Sequence, residues 1–114
     1  MDNVWCEGGG MMHTVLFITC PNLKSAKKIT RRLLNKNLVA CVNILPIIRS
    51  EYWLKGKIES HSEVLMIIKT KTKLYQQIEK EVKKLHPYTV PEIISFKIDK
   101  GNEDYLNWIS SVTK

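Results

Sequence analysis

Residues 85–94 read LHPYTVPEII, and this stretch carries the chain from an amphipathic helix into an apolar strand. Pro87 cannot continue a helix, and it pushes His86 toward extended backbone geometry. Pro91 acts in the same way on the residue before it, and Glu92 then opens a run of strand composition. The stretch therefore predicts a rigid corner that fixes an imidazole and a carboxylate near each other.

The segments on both sides of this corner have clear periodicity. The helix before it has an apolar stripe at steps of four, four and three residues, formed by Leu74, Ile78, Val82 and Leu85. After it we expect a strand over residues 92–98 and a short terminal helix over residues 105–112. The C-terminal half of the chain is therefore predicted to run helix, strand, helix.

The N-terminal half predicts a strand followed by a helix. Residues 14–20 form a β-branched and apolar run closed by Pro21, which is typical of a buried central strand. Asn22 is then placed to cap the next helix. One face of that helix consists of Ala26, Ile29, Leu33 and Asn37. The opposite face is basic and carries Lys24, Lys27, Lys28 and Arg31, with Arg32 and Lys36 extending it. The helix is therefore expected to cover a sheet with its apolar side.

Residues 38–70 predict one long β-hairpin. Lys55 and Gly56 mark its turn, since glycine can take the positive φ that a tight hairpin requires, and Pro46 is expected at a bulge or on an edge. An arm of ~14 residues spans ~45 Å, whereas a compact domain of this size has a radius of gyration near ~13 Å. The overhanging end bears large aromatic side chains and unpaired edges, so it needs a neighbouring subunit to cover it. The hairpin therefore predicts an oligomer rather than a monomer.

The order of these elements is strand, helix, strand, strand, helix, strand. Two right-handed crossovers and one hairpin give an antiparallel four-stranded sheet with helices on one face. We therefore expect an α+β protein of the ferredoxin-like βαββαβ class, with an extended β-hairpin and a short C-terminal helix. This domain is expected over residues 12–114, after a flexible N-terminal tail at residues 1–11.

Composition bears on the partners and the cellular compartment expected for the protein. The 114 residues carry a formal net charge of +7, which favours anionic partners, although a basic helix face is most often simply solvated. Three cysteines, an odd number at irregular spacing, argue against a disulfide framework and favour a reduced, cytoplasmic setting. No apolar run approaches the ~18 residues that a membrane span needs, so no membrane span is expected.

One edge of the predicted sheet collects candidate metal ligands. Strand one ends there at Cys20, the second helix ends there at His86, and strand four begins there at Glu92. A thiolate, an imidazole and a carboxylate together suit a borderline or soft divalent ion such as copper or zinc. Each residue also has a purely structural interpretation, as a buried apolar thiol, a histidine at a helix C-terminus and a charge at a strand start. Cys41 falls at the opposite edge, where core packing is expected.

Two other functions compete for these residues. A Cys/His hydrolase would need His86 to activate Cys20, but Pro21 has no N–H and cannot supply the oxyanion donor that commonly follows a nucleophile. We therefore expect no enzyme. RNA-recognition sheets display aromatic residues on their central strands, whereas residues 64–68 are aliphatic. We therefore expect no specific nucleic acid partner, and any such contact would be electrostatic, through the basic helix face.

Six short motifs follow one another along the chain. They are ACVNILP at 40–46, YWLKGK at 52–57, SEV at 62–64, IKT at 68–70, the corner at 85–94 and DYLNW at 104–108. Together they resemble the CutA family of divalent-cation tolerance proteins over nearly the whole chain. The resemblance implies a ferredoxin-like fold and a homotrimer. It also implies a role in metal ion tolerance and homeostasis, through binding of copper or another divalent cation without catalysis.

The resemblance also implies particular site residues. In the family, a cysteine that closes the first strand and a histidine before the Pro-Tyr pair are implicated in copper binding, and Cys20 and His86 match them. From its place at the same edge of the sheet, and not from the resemblance, Glu92 is expected as a third ligand or as a group that orients His86. Some members have a second histidine where this chain has Leu85. Because the family looks similar to PII-type regulators, the alternative is a trimeric regulatory or scaffold protein with incidental metal binding. Its intersubunit cleft is expected at Trp53, Glu63, Lys69 and Tyr88.

Overall fold

A computed structural model describes residues 12–114 as one four-stranded sheet with three α-helices. The strands are β1 (His13–Cys20), β2 (Cys41–Leu54), β3 (Lys57–Lys71) and β4 (Ile93–Lys97). The helices are α1 (Leu23–Asn35), α2 (Tyr75–Leu85) and α3 (Glu103–Val112), and a 3₁₀ turn at Thr72–Leu74 precedes α2. The tail expected at residues 1–11 lies outside the described residues. None of the helices within residues 12–114 is both long enough and apolar enough to cross a membrane.

The strand order across the sheet is β2-β3-β1-β4, and every neighbouring pair is antiparallel. This order confirms the predicted α+β ferredoxin-like arrangement, with β1 in the interior of the sheet. β4 begins at Ile93, directly opposite Ile18 on β1. The chain between α2 and β4 therefore passes beside the end of β1, where Cys20 lies.

The hydrophobic core lies between one face of the sheet and the two helices α1 and α2. The sheet contributes Leu16, Ile18, Cys20, Val64, Met66 and Ile68, and the helices contribute Ala26, Ile29, Leu33, Ile78 and Val82. An ionic cluster joins the two helices, because Glu81 accepts hydrogen bonds from Lys36 at 3.1 Å and from Arg32 at 3.3 Å. The hydrogen bond from Lys36 is the main reason that the pKa of Glu81 is lowered to about 2.

Helix α1 begins as the sequence predicts and ends earlier. The side chain of Asn22 caps it by accepting a hydrogen bond from the Ser25 N–H at 2.8 Å. The prediction that Asn37 continues the apolar face is wrong, because the helix ends at Asn35 and Asn37 has a left-handed φ of 56°. Asparagine adopts this conformation more readily than most residues, since its short polar side chain can hydrogen-bond locally. The next strand accordingly starts at Cys41 instead of residue 38.

The long hairpin of β2 and β3 extends beyond the rest of the domain. Lys55 and Gly56 form its two-residue turn with φ values of 51° and 78°, as type I′ geometry requires. The pairing register shifts between Leu45 and Ile48, which confirms the predicted bulge at Pro46. The described chain is 49 Å long with a radius of gyration of 15.4 Å, whereas about 13 Å is usual for its length.

The sheet face away from α1 and α2 is apolar and largely open. We call this surface the open sheet face. The cross-strand register places these apolar residues on it: Val15, Phe17, Leu45, Leu65, Ile67, Ile94 and Phe96. Phe96 is 52% exposed, and its ring meets that of Phe17 edge-on with centroids 5.3 Å apart. Helix α3 reaches one end of the same face, where His13 Nε2 lies 2.8 Å from Ser110 Oγ. A contiguous apolar patch of this kind is typical of a surface that another molecule covers.

Candidate functional site

The corner at the end of α2 positions the His86 side chain. The backbone N–H of His86 still bonds to the Val82 carbonyl at 2.8 Å, so this residue closes the last turn of the helix. Its φ and ψ of −74° and 133° are extended, because the following Pro87 disfavours helical geometry at the residue before it. The imidazole is thereby directed at the C-terminal end of β1, and only 8% of His86 remains exposed.

Both ring nitrogens of His86 are engaged. Nε2 lies 2.7 Å from the Thr19 carbonyl oxygen, and Nδ1 accepts a hydrogen bond from the Tyr88 N–H at 3.1 Å. A carbonyl can only accept and an amide N–H can only donate, so the proton of the neutral ring must be on Nε2. The hydrogen-bond partners therefore fix one tautomer of His86. They also orient the ring, the role that the sequence suggested for Glu92.

Cys20, the last residue of β1, lies against this imidazole. Its side chain is fully buried, with Sγ 3.8 Å from His86 Nε2 and 3.6 Å from Met66 Sδ. Burial raises the pKa of the Cys20 thiol to about 11, and the negative charge of Glu63 acts in the same direction. The thiol is therefore protonated at neutral pH, and a buried thiol of this kind is a weak nucleophile.

Two of the three donor–donor distances among Cys20, Met66 and His86 are compatible with a shared metal ion. Two donors bound to one ion at about 2.0–2.3 Å in a tetrahedral arrangement are roughly 3.5–3.8 Å apart. The Sγ–Nε2 and Sγ–Sδ distances of 3.8 and 3.6 Å lie within or close to that range. A thiolate and a thioether are soft donors that select copper in its reduced state, and an imidazole is a borderline donor that also binds copper. Coordination would require Cys20 to lose its thiol proton and Nε2 to lose its ring proton.

Glu92, the third predicted ligand, lies in a neighbouring cleft. The cleft has a volume of about 580 Å³, and its lining includes Arg49, Glu51, Tyr52, Glu63, Tyr88 and Glu92. Glu92 is exposed directly before β4. Within residues 12–114, no three histidine, cysteine or carboxylate side chains converge on a point that a metal ion could occupy. The structure therefore brings Cys20 and His86 together and places Glu92 in the cleft; metal binding by these residues stays a prediction.

Two of the four predicted cleft residues are in contact. The Tyr88 hydroxyl donates to Glu63 Oε2 at 2.8 Å, and Glu63 is only 9% exposed. Burial of the Tyr88 hydroxyl, followed by its bond to Glu63, raises the pKa of that hydroxyl. Lys69 instead contacts Asn43, and it lies six residues from Glu63 along β3, roughly 20 Å away at the rise of a β-strand. Trp53 is 73% exposed and pairs with Ile58 near the tip of the hairpin.

The sequence reasoning missed two groups in the site. Met66 could have been found, because it faces the core from β3 and pairs with Ile18, two residues before Cys20. The sulfur of Met66 thus lies on the same sheet face as that of Cys20. The contact of the Thr19 carbonyl with His86 could not be predicted from the sequence, since every residue has a backbone carbonyl. Its role depends on the angle at which the corner approaches β1.

Comparison with known proteins agrees with the motifs. The family model described as CutA1 divalent ion tolerance protein matches residues 14–112. Protein CutA of Mus musculus is 49% identical over 98 residues, which are 86% of this chain and 55% of the mouse protein. The divalent-cation tolerance protein CutA of Archaeoglobus fulgidus is 43% identical over 103 residues, 90% of this chain and 100% of that protein. The chain thus spans about half the length of the mouse relative and the whole length of the archaeal one.

Solved structures are similar to the whole described fold. The structure of the periplasmic divalent cation tolerance protein CutA from Archaeoglobus fulgidus matches with a TM-score of 0.88 and 42% identity, covering 90% of this chain and 100% of that one. The crystal structure of CutA1 from Oryza sativa matches with a TM-score of 0.88 and 38% identity, covering 91% and 95%. The sequence and structure comparisons therefore point to the same family.

Proposed function

This chain belongs to the CutA1 divalent ion tolerance family, and we propose that it serves metal ion tolerance by binding copper at Cys20, Met66 and His86. The observation that carries the proposal is the contact of two sulfurs and one imidazole nitrogen at 3.6 and 3.8 Å in a buried site. Retention of the ion without further chemistry would be sufficient for such a role. Glu92 remains a proposed contributor from the side of the cleft.

The donor types favour copper over harder ions. Thiolate and thioether sulfurs select Cu(I), whereas magnesium, calcium and manganese prefer carboxylate, carbonyl and water oxygens. The buried cluster offers two sulfurs and an imidazole, and the carboxylates of Glu63 and Glu92 line the separate cleft. We therefore expect one Cu(I) per chain to be retained against a competing chelator under anaerobic conditions. Failure of the wild-type protein to retain copper would contradict the proposal.

The affinity for copper is expected to depend on pH. The pKa of the Cys20 thiol is about 11, so coordination near neutral pH has to release the thiol proton. The proton on Nε2 of His86 can remain on the ring by moving to Nδ1, which leaves a net release of one proton. The apparent affinity should therefore rise about tenfold per pH unit between pH 7.5 and pH 9.5, below the pKa of the thiol. Chelator competition across this range measures the slope, and a flat profile would show that Cys20 is not a ligand.

We propose further that three copies of the chain assemble through the open sheet face and the long hairpin. Phe96 and Ile94 are 52% and 44% exposed on that face, and Trp53 is 73% exposed near the hairpin tip. Covering these side chains would stabilise an assembly by removing apolar area from water. The family resemblance supplies the number three, since an uncovered face alone requires only that another copy be present.

The cleft favours a second candidate function, that of a trimeric regulatory or scaffold protein. The bonded pair of Glu63 and Tyr88 lines the cleft, whereas Lys69 is roughly 20 Å away along the same strand. Lys69 and Trp53 could join the cleft from a neighbouring copy. A stable partner recovered with the purified protein, retained in the presence of a copper chelator and lost on Glu63→Ala, would support this function. Loss of the partner on chelation would count against it.

A further inference from the structure

Tyr88 contacts the buried cluster and the cleft at the same time. Its backbone N–H donates to Nδ1 of His86 at 3.1 Å, and its ring packs on the imidazole with centroids 4.9 Å apart. Its hydroxyl donates to Glu63 Oε2 at 2.8 Å. Glu63 is only 9% exposed, and this partly buried hydrogen bond joins the corner to β3.

The backbone amide of Tyr88 opposes coordination by the nearest nitrogen of His86. A neutral imidazole that coordinates a metal through Nε2 carries its proton on Nδ1, where that proton needs an acceptor. Nδ1 faces the N–H of Tyr88, which is itself a donor. Two N–H groups that face each other cannot form a hydrogen bond, because neither can accept. The backbone at Tyr88 therefore has to move before His86 can become a ligand.

We propose that the Tyr88–Glu63 hydrogen bond holds His86 in this closed arrangement and thereby lowers the copper affinity of the cluster. The proposal rests on the proposed function, because it concerns access to the same three donors. Tyr88 and Glu63 act through His86, so they are positioning residues and not ligands. A group in the cleft that took Glu63 away from Tyr88 would release the corner. The cleft and the buried cluster would then be coupled through one side chain.

The substitution Tyr88→Phe tests this proposal, because it removes the hydroxyl and keeps the ring on His86. We expect the Cu(I) affinity, measured by chelator competition, to rise roughly tenfold, the equivalent of one hydrogen bond. In the metal-free protein, hydrogen exchange at the amide of residue 88 should accelerate by a similar factor. Nitrogen NMR of the His86 ring should then detect the form protonated on Nδ1, which the wild-type contacts disfavour.

Two further variants act as controls. Tyr75→Phe removes a hydroxyl that lies 3.3 Å from Glu79 Oε2 and 3.3 Å from the Ile93 carbonyl oxygen. It loosens the β4 end of the corner without touching Tyr88 or His86, so it should leave the copper affinity unchanged. Glu63→Gln keeps an acceptor for Tyr88 but loses its charge, so hydrogen exchange at the amide of residue 88 should lie between that of the wild type and that of Tyr88→Phe. Exchange is the readout for this variant, because the charge of Glu63 also raises the pKa of the Cys20 thiol and would change the copper affinity by that route. General loosening of the fold would affect all three variants alike. Control of His86 by Tyr88 predicts the largest effect in Tyr88→Phe, a smaller one in Glu63→Gln and none in Tyr75→Phe.

The possible outcomes separate this proposal from the proposed function. Weaker or unchanged copper binding in Tyr88→Phe would overturn the proposal, because the hydrogen bond would then assist His86 or have no effect on it. An equal rise in affinity in Tyr75→Phe would also count against it. If no variant binds copper but exchange at residue 88 accelerates and the Nδ1–H form appears, the proposed function falls. In that case the control of His86 by Tyr88 is upheld.

Discussion

Phe96→Asp is expected to convert the proposed trimer into a folded monomer. Phe96 lies on the edge strand β4 of the open sheet face, where its ring meets Phe17. Loss of one buried phenylalanine costs about 1.5–3 kcal/mol per subunit, and an unpaired carboxylate in the interface adds a desolvation cost. The dissociation constant should therefore rise by at least about 10³-fold. The fold itself should persist, because residue 96 is half exposed in the isolated chain.

Sedimentation at micromolar concentration measures this change directly. The wild type should sediment at three times the chain mass, and Phe96→Asp at the chain mass with unchanged far-ultraviolet circular dichroism. Leu23→Asp is the matched control, because Leu23 is a 38% exposed leucine at the start of α1, on the opposite side of the sheet. A wild-type protein that is monomeric, or a Phe96→Asp variant that stays trimeric, would contradict assembly through this face.

Cys20→Ser is expected to remove most of the copper affinity. Sγ contacts both other donors in the cluster, and serine replaces a soft sulfur with a hard oxygen. Loss of even an outer-shell partner typically costs 10–100-fold in metal affinity, so loss of this ligand should cost at least about 100-fold. The fold should tolerate the change, because serine is close to cysteine in size.

The other cysteine in the described residues supplies the control for this variant. Cys41 is free and partly exposed at the start of β2, at the far end of the sheet from Cys20. Cys41→Ser should therefore leave the chelator-competition curve unchanged. Equal losses in the two variants would indicate adventitious binding to thiols, and an unchanged curve in Cys20→Ser would remove Cys20 from the site.

The sequence predicted the order and type of the described elements because local signals and topology agreed. Asn22, the turn at Lys55 and Gly56, and the bulge at Pro46 each carry a local conformational preference that the structure follows. The end of α1 was predicted less well. Asn37 matched the helical period, but its own left-handed conformation stops the helix before it, and periodicity contains no information about that competition.

The candidate site was predictable only as far as topology determines it. The contact between Cys20 and His86 follows from the ends of β1 and α2 lying at one edge of the sheet. The position of Glu92 could not be obtained in this way, because it lies on the corner, where backbone angles decide which side a residue faces. The cleft prediction had a similar limit. Glu63 and Tyr88 meet within one chain, whereas Lys69 and Trp53 lie elsewhere on the hairpin and would have to reach the cleft from a neighbouring copy.

An anomalous-difference map at the copper edge, from crystals of the Cu(I)-loaded protein, tests the central claim most directly. The account predicts one peak per chain, within about 2.3 Å of Cys20 Sγ and in contact with Met66 Sδ and His86 Nε2. A peak found only in the cleft beside Glu63 and Glu92, or no peak at all, would contradict it.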